Sequence, residues 1–195
     1  MKRLNGMKHV NRLAALALML LSASCAQVTL VEAGKPVVVG NGLTVMPQRQ
    51  WNQIKTDHIL WTADGPGVNQ VNFYTGIKTG KPLFEIVGVK DQAIGAFDAK
   101  MLPNDIQDLV VASMGKQGYQ NVRPGNLTPC PFGKLTGFCF DLTFATPDGL
   151  EMKGMTMARK QLDTLDLFLF QAPGEYYYGE LAPTVGKVFA SAQTN

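Results

Sequence analysis

Asp57-His58 is the pair in this chain best suited to acid–base chemistry, because a carboxylate beside an imidazole can orient it and hold a proton. His58 is the only histidine after the N-terminal segment, in which His9 lies. Beyond residue 24 the only serines are Ser113 and Ser191, and a Ser-His-acid triad would have to recruit one of them. Ser113 stands in Val111-Ala112-Ser113-Met114-Gly115, which lacks the first Gly of a nucleophile elbow. Asp148 and Glu151 could pair for acid–base work, but they sit in or beside a turn, where exposed acids are routine. Gly65-Pro66-Gly67-Val68-Asn69-Gln70 begins like a dinucleotide loop, lacks its last Gly and leads into a strand instead of a helix. No catalytic set, metal site or cofactor is expected, and His58 is the residue an enzymatic reading would have to use.

Cys130 and Cys139 enclose Pro131, Phe132, Gly133, Lys134, Leu135, Thr136, Gly137 and Phe138. Reactive thiol pairs favour the Cys-x-x-Cys spacing, and a metal site would lack histidine partners. Two thiols this close in an exported chain pair with each other. The spacing therefore predicts one structural disulfide.

Export is read from the N-terminus. Lys2, Arg3, Lys8 and Arg12 precede nine apolar residues, Leu13 to Leu21, with no acid among them; Met7 is an alternative start. Small residues Ser22-Ala23-Ser24 and then Cys25 follow. A positive segment, a short apolar core and a small-residue cleavage site form a secretory signal over residues 1–24. Nine residues at about 1.5 Å rise fall well short of a hydrocarbon core of about 30 Å. Leu21-Ser22-Ala23-Ser24-Cys25 resembles the lipobox of bacterial lipoproteins, although Leu stands one position further from the Cys than the usual pattern. The resemblance implies an acylated (palmitate-bearing) Cys25 as first mature residue and a membrane partner. With Ala26 next, it implies an outer-membrane lipoprotein facing the periplasm. Ordinary cleavage after Ser24 or Ala26 is the alternative, giving a soluble periplasmic or secreted protein.

The signal also explains the charge. The whole chain has 18 Lys+Arg against 15 Asp+Glu, a net charge of +3. Its four signal bases leave 14 against 15 from Cys25 onward, a net charge of −1, and nucleic acid is not expected as a partner.

These residues need elements to hold them. Valine-rich strands are predicted at Val28 to Glu32 and Pro36 to Gly40, then Leu43 to Met46 and His58 to Thr62. Val68 to Ile77 alternates: Val71, Phe73 and Thr75 on one side, and Gln70, Asn72 and Tyr74 on the other, as in a half-exposed strand. Leu83 to Val87 reads as a strand. Pro103 opens a helix with Asp105 and Asp108 near its positive end and Ile106, Leu109, Val110 and Met114 on one face. A three-strand meander follows, with Phe138, Phe140, Leu142 and Phe144 alternating, Leu150 to Arg159 returning, and Leu165 to Gln171 apolar on both faces. A strand of the last kind is covered on both sides. A short helix from Pro183 closes the chain. Residues 25–195 thus form a single α+β domain, a twisted antiparallel sheet with helices packed on it. Its element order resembles the PsbP-like fold of small exported proteins.

Tyr176-Tyr177-Tyr178 offers rigid apolar bodies with polar tips, the chemistry of a contact surface. Trp51, Trp61, Met155 and Met157 read as core. The leading expectation is a non-enzymatic envelope protein of accessory or interaction type with a possible envelope protein partner. A periplasmic module for a small apolar ligand is the alternative, and an enzyme using His58 comes third.

Overall fold

A computed structural model describes residues 28–84 and 95–194. The segment expected to be an export signal and Cys25 lie outside the described residues, as does the greater part of the strand expected at Leu83 to Val87.

One antiparallel sheet dominates. Its strands are β1 (Val28–Val31), β4 (Trp51–Lys55), β5 (Ile59–Thr62), β6 (Gln70–Lys78), β7 (Gln120–Phe132), β8 (Leu135–Ala145), β9 (Glu151–Gln161) and β10 (Thr164–Pro173). In space they run β1-β4-β5-β6-β10-β9-β8-β7. The C-terminal half is a four-strand meander, and β10 docks on β6 to join it to the N-terminal strands. A smaller sheet is ordered β11-β3-β2, from β2 (Val37–Gly40), β3 (Leu43–Val45) and β11 (Gln193–Thr194).

Two helices cover opposite faces. Helix α1 (Pro103–Lys116) has Pro at its first position, and the Asp105 side chain accepts from the Leu102 amide at 2.8 Å, satisfying a donor that the helix start leaves open. Its Ile106, Leu109, Val110 and Met114 bury against Phe138, Phe140, Leu142 and Phe144 of β8 and Leu165, Leu167 and Leu169 of β10. Helix α2 (Tyr177–Ala190) sets Leu181, Val185, Val188 and Phe189 on the other face, with Trp51, Trp61, Phe73, Phe168 and Phe170. Strand β10 is buried from Leu165 to Ala172 without interruption, as its two apolar faces require.

Two local expectations change, and one proline-bearing strand is added. Helix α2 starts six residues before Pro183, which lies inside it. Proline removes one backbone bond there, and burial of four large apolar side chains holds the helix regardless. Strand β7 runs through a stretch containing Pro124, Pro129 and Pro131, which argues against a strand in the sequence. It is an edge strand, where a missing N–H need not break a ladder. Its register shifts lie between Gln120 and Arg123 and between Gly125 and Thr128, where Asn121 and Asn126 adopt positive φ. Finally, the polar side of β6 is covered more than its alternation suggests: Asn72 is 2% exposed, and Gln70 and Tyr74 are half-buried.

Candidate functional site

The Asp57–His58 pair leads into that buried polar side. Asp57 Oδ1 accepts from Thr56 Oγ1 and lies against His58 Nδ1, both at 2.8 Å. Burial pushes the Asp57 carboxyl up, but the hydrogen bonds from Thr56 and His58 outweigh it and the net position is below the ordinary carboxylate value. The other ring nitrogen, Nε2, meets Asn72 Oδ1 at 2.9 Å. The imidazole stacks on Tyr74 at 4.2 Å between centroids, and Tyr74 abuts Phe84 at 4.9 Å.

From Asn72 the hydrogen bonds continue across the sheet. Asn72 Nδ2 donates to Gln70 Oε1 at 3.3 Å, and Gln171 Nε2 donates to the same oxygen at 3.1 Å. Gln171 Nε2 also donates to the Tyr119 hydroxyl at 3.1 Å. The direction of this whole row is fixed at one point. Gln70 Nε2 meets the Pro66 carbonyl at 2.6 Å, and a carbonyl can only accept. Gln70 Oε1 must therefore face Asn72 and Gln171, and Asn72 Oδ1 must face His58. The two ring nitrogens of His58 thus face the oxygens of Asp57 and Asn72.

Register explains how these residues meet. On the α1 side of the sheet, Gln171 of β10 stands opposite Gln70 of β6, and Leu169 stands opposite Asn72. The amides thus prolong a row of leucines, Leu165, Leu167 and Leu169. Beyond them lies a hollow of about 570 Å³ lined by Gln70, Asn72, Tyr74, Tyr119, Asp148 and Gln171 among others. It opens between the end of α1, the loop before β6 and the β8–β9 turn.

The remaining sequence candidates are placed elsewhere. Ser113 is buried in α1 with its hydroxyl unpartnered, and Ser191 Oγ bonds the Val188 carbonyl and the Met46 amide; neither meets His58. Asp148 and Glu151 are exposed, and Asp148 accepts from Thr146 Oγ1 at 2.5 Å, which with its own backbone holds the carboxyl below its usual range. Cys130 and Cys139 form a disulfide across β7 and β8, with Cα atoms 5.8 Å apart. Among the tyrosines only Tyr176 is exposed, at 65%. Tyr178 stacks on Phe170 at 5.4 Å, and Tyr177 packs against the same core. Trp51 and Trp61 are buried together, 6.3 Å apart.

Two features were not anticipated from the sequence. Gln171 and Tyr119 complete the polar row, and their only signal was an amide where the β10 alternation calls for a leucine. Arg159 and Asp166 form a buried ion pair at 2.5 Å, with Asp166 also accepting from the Gly76 amide at 2.9 Å and the guanidinium lying over Phe132. Among the described residues no group of three or more His, Cys, Asp or Glu could hold a metal ion, and no helix is long and apolar enough to cross a membrane.

No protein-family model matches the chain, and neither does any curated protein sequence. Among solved structures, LpqN of Mycobacterium tuberculosis, described as involved in cell envelope biogenesis, aligns at 10% identity over 87% of this chain and 91% of its own, with a TM-score of 0.43. Cyanobacterial PsbP (CyanoP) from Synechocystis sp. PCC 6803 is 10% identical over 89% of this chain and 96% of its own, with a TM-score of 0.54. The fold of this chain, a large antiparallel sheet flanked by two helices, is therefore similar to that of PsbP.

Proposed function

We propose that this chain is an exported envelope protein, tethered through an acylated Cys25, that works by binding a partner or ligand and not by catalysis. The observation that carries the reading is the N-terminal pattern: a positive segment, nine apolar residues and small residues end at Cys25, only three residues before β1. Such a tether would hold the domain within about 10 Å of extended chain from the bilayer. The reading places it in the outer membrane facing the periplasm, with Tyr176 as an exposed contact residue. Its non-catalytic part is supported by His58, whose ring nitrogens are both occupied by Asp57 and Asn72. Cell fractionation of the Cys25→Ser full chain tests the tether. The variant should move from the membrane to the soluble fraction, and unchanged membrane association would overturn the reading.

A second reading is a module for a small apolar ligand. It is favoured by a mostly apolar groove of about 530 Å³ between α1 and the β7–β8 hairpin, lined by Met101, Ile106, Leu127 and Phe138. At its rim Lys160 Nζ donates to the carbonyls of Ala99 and Met101 at 2.8 and 2.7 Å. Lipid extraction and mass spectrometry of the purified protein should then release a reproducible apolar molecule, and its absence counts against this reading.

A further inference from the structure

We propose that the hollow at the C-terminal end of α1 binds an uncharged saccharide through Gln171, Tyr119 and Tyr74. Side-chain amides buried in a sheet face cost free energy unless every polar group finds a partner. Here the internal partners run out at the hollow. Both hydrogens of Gln171 Nε2 are used, one toward Gln70 and one toward Tyr119, while Oε1 takes no hydrogen bond from any described residue. The Tyr119 oxygen accepts from Gln171, which leaves its own proton to give. The Tyr74 hydroxyl makes no hydrogen bond to a described residue. Burial first, and then the neighbouring Asp57 and Tyr119, keep that phenol far above its ordinary range, so it stays a neutral donor.

The lining therefore offers an acceptor and two donors on a rigid frame whose polarity is set by the Pro66 carbonyl. A hydroxyl is the group that both gives and takes a hydrogen bond, and a sugar carries several on adjacent carbons. Among the described residues that line it, Asp148 alone is charged, a carboxylate, which suits hydroxyl donors and repels anions. Val68, Met152 and Leu169 supply apolar contact for the C–H faces of a ring. The volume, about 570 Å³, lies within the range of small-molecule sites, roughly 300–1,000 Å³. The packing role of the same positions would be met by leucine, as it is at Leu165, Leu167 and Leu169.

Titration of the purified full chain with cellotriose, triacetylchitotriose and neutral trialanine, followed by amide NMR shifts, tests the site. At least one trisaccharide should bind saturably at millimolar concentration and shift residues around Gln171 and Tyr119. Tyr119→Phe, which removes one hydroxyl, and Gln171→Leu, which removes the whole amide, should each weaken that binding about tenfold or more. Tyr119→Phe keeps the ring that packs edge-on against Phe144, so its melting temperature serves as the folding control. Absence of saturable binding by both trisaccharides, equal binding by both variants, or binding of trialanine alone would overturn the proposal. The assay does not depend on acylation of Cys25, so its failure is distinguishable from failure of the tether.

Discussion

Asp57 and His58 are neighbours in the chain, so their 2.8 Å contact needs little from the fold. What sets their role is Asn72, fourteen residues on, which claims the second ring nitrogen. A pair adjacent in one dimension becomes the end of a row of hydrogen bonds in three. The Asp57 carboxyl, net below its ordinary 3.8, gives a signed prediction. A group whose pKa is lowered by folding adds stability above its unfolded value, and that contribution fades as pH falls through the folded value. Urea unfolding should therefore show stability declining in acid below pH 3.8. In Asp57→Asn this part of the decline should vanish, with a loss of up to about 1 kcal/mol at neutral pH because the group is partly solvated. A pH dependence identical to the wild type would refute the assignment.

Among the elements, the alternating strands were legible and the irregular ones were not. Strand β8 follows from its alternating Phe138, Phe140, Leu142 and Phe144, β9 from its return after the turn, and β10 from a run apolar on both faces, while the opening of α1 follows from Pro103 and Asp105. Strand β7 carries three prolines, and only its edge position makes that acceptable. Strand β4 reads as polar through Asn52, Gln53 and Lys55, yet Trp51 anchors it in the core. The disulfide acts between elements, since it pins the bulged edge β7 to β8. Replacing both Cys130 and Cys139 by Ser should cost roughly 2–3 kcal/mol, mainly by freeing the unfolded chain. Chemical denaturation measures it, and thiol labelling of the unreduced wild type should find neither cysteine reactive.

Across the entire domain, one sheet separates two cores, and the chain end is drawn back onto it. Gly133, in the β7–β8 turn, has φ +61°, and a Cβ there would stand 2.2 Å from the Ala192 carbonyl oxygen. The turn thus fits against the segment that leads into β11 and the small sheet. Gly133→Ala should destabilise the fold by about 1–3 kcal/mol through strain and displacement of that segment. A melting temperature equal to that of the wild type would show that the end segment does not close on the turn.

Residue order alone carries the pattern of an export signal, the near-neutral charge of the chain beyond residue 24, the proximity of the two cysteines and the strand that is apolar on both sides. Each of these is a property of composition or of spacing along a few residues. The cover on the polar side of β6 is a matter of the folded arrangement. Alternation shows that Gln70, Asn72 and Tyr74 share a face, but whether that face meets water or a buried partner depends on β10 and Tyr119, from far along the chain. Their arrival turns a solvated face into a directed row of hydrogen bonds ending at a hollow, because buried amides must find partners and strand pairing supplies them.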